Sequence, residues 1–206
     1  MIEKQELTKT QLQNRQRFLD AAEPLFERYG YQKVTIQDVC KAAGMSKPTF
    51  YDLFKDKEDL FVWMIIHICE TAIEDWEVGL QKRISPTKKL ISFIDFIAEL
   101  TKEKPIFISI YKDPSAMEKF AWILYSTPHS PILSSLRQIL NDGIKSGNFS
   151  RIDPEAVLWM IYAILDSMYI IVPMMTGKPG AGDDPKLDKE VKQFILKGIG
   201  TYDVKA

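Results

Sequence analysis

What this chain has little of narrows its function first. Of its 206 residues only two are cysteine, Cys40 and Cys69, and two are histidine. Each cysteine falls on the apolar stripe of an expected helix, so both read as buried thiols rather than as a disulfide or a redox switch. His67 and His129 stand in different segments with no cysteine or paired acid at metal-ligand spacing, which points to structural roles. There is no glycine-rich phosphate loop and no G-x-S-x-G elbow. Convergent reactive groups are scarce, so catalysis is the weaker class, and neither a cofactor nor a metal is expected. Net charge is nearly absent too: 27 Lys and Arg against 28 Asp and Glu leave −1, so no global basic field recruits nucleic acid. No apolar run follows the charges of residues 1–7, so no signal peptide is expected and a cytoplasmic address is. A composition 46% hydrophobic and 27% charged excludes disorder and suffices for one or two cores.

What is there is concentrated in residues 35–57, T-I-Q-D-V-C-K-A-A-G-M-S-K-P-T-F-Y-D-L-F-K-D-K. Thr35 is placed to cap a helix, with Asp38 reaching back in an Asp version of the capping box. Ile36, Val39, Cys40 and Ala43 recur at helical spacing as one narrow stripe, and Gly44 follows where a left-handed residue ends a helix without strain. Ser46 caps a second short helix with Pro48 in its first turn. Phe50, Leu53 and Phe54 then face inward, leaving Pro48, Tyr51, Asp52 and Lys55 on the other side. A third helix opens at Asp56, which sets Lys57 beside a helix N-terminus, where an anion is favoured. Two short helices joined through a glycine turn, the second rich in exposed Lys, Thr and Tyr, is the helix-turn-helix plan for entering a major groove. Charge agrees in sign: residues 1–57 hold ten Lys or Arg against eight Asp or Glu, the remainder seventeen against twenty.

At these positions the segment resembles the TetR family of bacterial transcriptional regulators. The resemblance rests on Thr35, Ala43, Gly44, Met45, Ser46, Lys47, Pro48, Phe50, Tyr51, Phe54, Lys57, Glu58 and Leu60. Upstream, the Ala21–Phe26 run and Tyr29-Gly30-Tyr31 match the helix that braces the motif in that family. Two features depart: proline at 48 replaces the usual glycine or alanine, and Asp52-Leu53 stand where aromatic residues or histidine are frequent. An aspartate on a reading face repels phosphates yet can accept from cytosine N4. The operator therefore cannot be borrowed from a relative. The resemblance implies an all-α fold. Its N-terminal three-helix helix-turn-helix DNA-binding domain would span residues 10–57, with the motif at about 35–54, and a C-terminal helical ligand-binding and dimerisation domain residues 58–206.

The rest of the chain reads as helices throughout. The first runs from Thr10 through Phe18, Ala22, Leu25 and Tyr29 to Gly30, with Arg15 and Arg17 on the wet side and a kink expected at Pro24. The helix from Asp56 to about Gln81 is long enough to connect two domains. Ser85-Pro86 opens another, closed by Lys104-Pro105. A short apolar segment, 106–111, precedes a helix starting at Asp113-Pro114, and breaks follow at Thr127-Pro128 and Ser130-Pro131. Helices 132–147 and, capped by Asp153, 154–173 come next; a Gly/Pro loop, 177–184, precedes the last helix from Pro185. The 154–173 helix is apolar on nearly every side, and in the TetR family the corresponding pair of helices forms a four-helix bundle across a two-fold axis. A membrane span is disfavoured because the apolar stretch 159–175 falls short of about 20 residues, contains Asp166 midway and ends on Pro173.

Candidate site residues follow. Thr35, Lys47 and Lys57 gather at helix N-termini as phosphate contacts; Lys47, Pro48, Thr49, Tyr51 and Asp52 are candidates for base edges, and Ser46 completes the DNA-binding set. Dimerisation would place two reading helices about 34 Å apart and so imply a palindromic double-stranded operator. A small-molecule effector, apolar or aromatic, is expected among Phe107, Tyr111, Phe120, Trp122, Tyr125, Trp159, Tyr162 and Tyr169, although any one of these aromatics is ordinarily core. Asp166 is either a polar contact at the dimer seam or the charged group of the pocket, the seam being favoured. The resulting expectation is a homodimeric repressor released by ligand. The alternatives are a DNA-binding adaptor whose C-terminal domain meets a protein partner and, needing a polar cluster in the cavity, an enzyme.

Overall fold

A computed structural model of the protein describes residues 7–80, 84–126 and 130–200, the side chains of 122–126 excepted. Among the described residues the regular elements are all helices. In order the helices are α1 (Lys9–Lys33), α2 (Ile36–Ala43), α3 (Lys47–Tyr51), α4 (Lys57–Gly79), α5 (Pro86–Glu103), α6 (Ile106–Lys112), α7 (Pro114–Ser126), α8 (Pro131–Lys145), α9 (Pro154–Asp166), α10 (Val172–Thr176) and α11 (Pro185–Ile199). They fall into two compact units: residues 1–68 with 109–127, and residues 69–108 with 128–206.

Side-chain oxygens start most of these helices, as the sequence predicts for Thr35, Ser46, Ser85 and Asp153. Ser85, Ser130, Asp153 and Asp184 each accept from backbone N–H groups of the first turn, and the proline that follows each occupies a position whose N–H would be orphaned anyway. Within α1 the backbone stays helical at Pro24. The interruption is at Gly30 (φ 76°, ψ 162°), a conformation that any Cβ would disfavour. The glycine therefore ends the regular helix. The short apolar segment 106–111 lies in the helix α6.

Aromatic rings fill the core of the first unit. Phe18 meets Phe50 edge-on at 5.5 Å and Phe54 at 6.0 Å, while Phe26 meets Phe61 at 5.1 Å. Each fully buried ring contributes roughly 1.5–3 kcal/mol of apolar burial. Tyr29, expected to face inward, is instead 47% exposed, since the chain leaves the helix at the next residue.

In the second unit α8 packs against α5 and α9. Gly143 on α8 admits the Phe149 ring so closely that a Cβ there would lie 1.9 Å from Phe149 Cδ2. Trp76, Phe93 and Phe96 form a further cluster, with Trp76 stacked on Phe96 at 5.4 Å and its Nε1 donating to Ser92 Oγ at 3.0 Å.

The last apolar helix is longer than expected. A single π turn, Ser167–Ile171, in which the Val172 N–H donates to the Ser167 carbonyl, joins α9 to α10, so helix runs without a break from Pro154 to Thr176. Its 23 residues are enough, by length and composition, to cross a membrane, which overturns the argument from shortness. What weighs against a span is chemistry. Asp166 stands midway, and Leu158, Ile161 and Leu165 are buried in the unit's own core.

Candidate nucleic-acid interface

The helix-turn-helix is set by its caps. Thr35 Oγ1 accepts from Asp38 N at 3.2 Å while Thr35 N donates to Asp38 Oδ2 at 3.0 Å, closing the reciprocal box and holding the Asp38 carboxyl below the ordinary carboxylate range. Gly44 is left-handed (φ 65°) and returns its N–H to the Cys40 and Lys41 carbonyls. Ser46 Oγ accepts from Thr49 N at 3.3 Å and lies 2.8 Å from Thr49 Oγ1, so α3 begins on a doubly tied turn. Arg17 from α1 donates to the Ala43 carbonyl at 2.9 Å and satisfies the end of α2.

These ties give α3 a dry face and a wet face. Phe50 and Phe54 are buried; Lys47, Pro48, Tyr51 and Asp52 are exposed, with Thr49 half-buried between them. Tyr51, 56% exposed, packs edge-on against Phe50 at 5.4 Å, which aims a large ring outward from a rigid base. Thr35 and Ser46 are exposed at the N-termini of α2 and α3.

Lys57 is placed differently from its neighbours. Its ammonium donates to the Tyr31, Val34 and Gln32 carbonyls at 2.8, 3.0 and 3.4 Å, and lies 4.5 Å from the centroid of the Tyr31 ring. Burial pulls its pKa down, and nearby Asp113 opposes that shift. It therefore closes the C-terminal carbonyls of α1 at the point where α4 begins. Beside it, Glu58 pairs with Lys119 of α7 at 3.0 Å and Gln32 bonds to Ser115, so α7 is part of the same compact unit as the motif.

Sequence reasoning missed several of these supports. Arg15, assigned to the wet side of α1, lies 3.7 Å over the Trp63 ring. Lys119, Ser115 and Trp63 carry no local pattern that would place them against the motif. Their partners are tens of residues away.

The effector residues are distributed. Tyr111 and Phe120 meet edge-on at 6.3 Å in the first unit; Trp159 and Tyr162 meet at 6.0 Å on α9 in the second. Phe107 is buried, and Asp166 is half-buried where α9 passes into the π turn. Tyr169 is also buried, donating to Asp188 Oδ1 at 2.5 Å. The side chains of Trp122 and Tyr125, like His129, lie outside the described residues. Cys40 and Cys69 are buried free thiols, as expected. Burial pushes Cys69 up to about 12.

A capped helix pair presenting Lys, Thr and Tyr from a rigid aromatic base is a helix-turn-helix DNA-binding head. Residues 18–63 match the family described as bacterial regulatory proteins, tetR family. Over 188 residues the chain is 26% identical to the HTH-type transcriptional regulator YhgD of Bacillus subtilis (strain 168), covering 88% of this chain and 94% of that one. It is 20% identical over 192 residues to the HTH-type transcriptional regulator RutR of Escherichia coli (strain K12), covering 88% of each. Among solved structures, that of the transcriptional regulator FadR from Bacillus subtilis in complex with stearoyl-CoA has the same fold. Its TM-score is 0.68 at 23% identity, with 89% of this chain and 98% of that chain covered. Residues 18–63 are thus a helix-turn-helix head of the TetR family, and the protein is a DNA-binding transcriptional regulator.

Proposed function

We propose that the protein is a homodimeric, cytoplasmic repressor that reads a palindromic operator and is released by a small apolar or aromatic effector. The observation that carries the DNA reading is the outward face of α3. Lys47, Pro48, Thr49, Tyr51 and Asp52 approach base edges there, while Thr35, Ser46 and Lys47 stand at helix N-termini suited to phosphates and Lys57, its ammonium turned to the α1 carbonyls, adds positive charge beside them. The DNA-binding domain is assigned to residues 10–57 and the ligand-binding and dimerisation domain to 58–206. Support for a second copy comes from α9, α10 and α11, which leave the large apolar side chains Met160, Met175 and Phe194 largely exposed. Asp166 is assigned to that seam. An effector held by the aromatic residues of the second unit, Phe107, Trp159, Tyr162 and Tyr169, releases the operator only if it binds the released conformation better than the DNA-competent one. The stearoyl-CoA bound to the Bacillus subtilis FadR makes a long acyl chain the first apolar effector to try.

The same exposed residues also suit a protein partner, which keeps the adaptor as the second reading. Selection of random duplex DNA by the purified protein, titrated across salt, tests the first. An enriched palindrome supports it and supplies the probe for effector release. Weak, steeply salt-dependent binding with no enriched sequence overturns sequence-specific reading and moves the adaptor ahead.

A further inference from the structure

Ser135 is 8% exposed, and its hydroxyl is buried without a hydrogen-bond partner. It stands on α8 with Leu133, Leu136, Ile139 and Leu140, all buried, on the helix that packs against α5 and α9. An unbonded buried hydroxyl costs free energy, and a helical serine has an easy remedy in the carbonyl four residues back. Ser146, just past the C-terminus of α8, takes that remedy, with Oγ 2.7 Å from the Asp142 carbonyl, and Thr176 does the same with Val172 at 2.7 Å. Ser135 does not, and burial denies it bulk water as a substitute. It is a polar group kept dry and unpaired in the apolar core of the unit.

We propose that Ser135 Oγ is the polar contact of the effector, donating its hydrogen to a carbonyl oxygen on a ligand that is otherwise apolar where it meets the protein. This rests on the ligand-released regulator proposed above and names the class of its ligand. Aliphatic neighbours with one hydroxyl suit an acyl chain bearing a single carbonyl, as in a fatty acyl thioester. A polyol would leave most of its own hydroxyls unpaired there.

The test titrates stearoyl-CoA and S-octadecyl-CoA, a thioether that lacks the carbonyl, into the full-length protein, S135A and S135T by calorimetry. Wild type and S135T are expected to bind the thioester about five- to tenfold more tightly than the thioether, and S135A to bind the two alike. Ligand-free S135A is expected to melt about 2–4 °C above wild type, because the orphan hydroxyl is gone and alanine favours the helix. If S135A keeps the discrimination, the role of Ser135 is overturned while an acyl effector still stands. If neither compound binds wild type, the acyl class falls and this contact with it, leaving the operator reading intact. A lower melting temperature for ligand-free S135A would show that the hydroxyl already has a partner, which also overturns the proposal.

Discussion

The ammonium of Lys57 lies 2.8 Å from the backbone carbonyl of Tyr31 and 4.5 Å from the centroid of the same residue's ring. One side chain therefore closes the end of α1 at the first residue of α4. Hydrogen bonds from a charged donor to carbonyls are worth about 1.5–3 kcal/mol each in net terms. K57M is expected to lower stability by about 2 kcal/mol or more in urea denaturation. Its salt dependence separates two roles: a log–log slope for operator binding smaller by about one adds a phosphate contact, and an unchanged slope assigns Lys57 to the joint alone.

Lys47 and Tyr51 are the cleaner probes of the DNA face, because their exposed side chains carry no such joint. K47A should weaken binding to all duplexes alike and lower the salt slope by about one. Y51A should weaken operator binding roughly tenfold with little change on random duplex. Asp52 is the opposite case. D52N removes a repulsive charge, so affinity for random duplex should rise, as fluorescence anisotropy would show.

A methyl group at position 143 would overlap the Phe149 ring, the Cβ falling 1.9 Å from Cδ2. G143A should therefore destabilise the second unit by about 2–3 kcal/mol, even though alanine is the better helix former. Thermal unfolding reads this directly. A variant as stable as wild type would mean that Phe149 has another place to go.

Tyr169 and Lys192 share Asp188, whose two oxygens lie 2.5 Å from the Tyr169 hydroxyl and 2.6 Å from Lys192 Nζ, while Lys192 also pairs with Asp95. Burial first, then Asp188, raises the Tyr169 pKa. For Lys192 burial opposes the charge, but the two carboxylates outweigh it and raise that pKa too. Both groups hold protons more tightly folded than unfolded, so their contribution is complete below the ordinary values of 10.0 and 10.5 and declines as pH rises beyond them. The melting temperature should fall steeply above about pH 10, and less steeply in Y169F, which no longer has that proton to lose.

Met160 and Phe194 are 62% and 68% exposed, so neither contributes much to the core of one chain. A carboxylate there should cost a monomer little but a two-fold seam a great deal. M160D and F194D are each expected to raise the dimer dissociation constant by about two orders of magnitude in sedimentation equilibrium, with operator affinity falling in parallel. Unchanged association would place the seam elsewhere.

The chain announced its local chemistry before any coordinates. The Thr35–Asp38 box, the left-handed Gly44, the Ser46 cap and the proline-led starts of α5, α8, α9 and α11 all involve groups within a few residues of one another, so spacing alone specifies them. The outward face of α3 was legible for the same reason: a 3.6-residue period decides which side chains turn away from Phe50 and Phe54. Other relationships were settled by folding, because their partners are remote along the chain. The inward turn of Lys57, the stacking of Arg15 on Trp63, the inclusion of α7 with the DNA-binding head and the Phe149 ring over Gly143 are of this kind. So is the unpaired hydroxyl of Ser135, since a serine on a helix carries no mark in its sequence of whether the surrounding fold will offer it a partner.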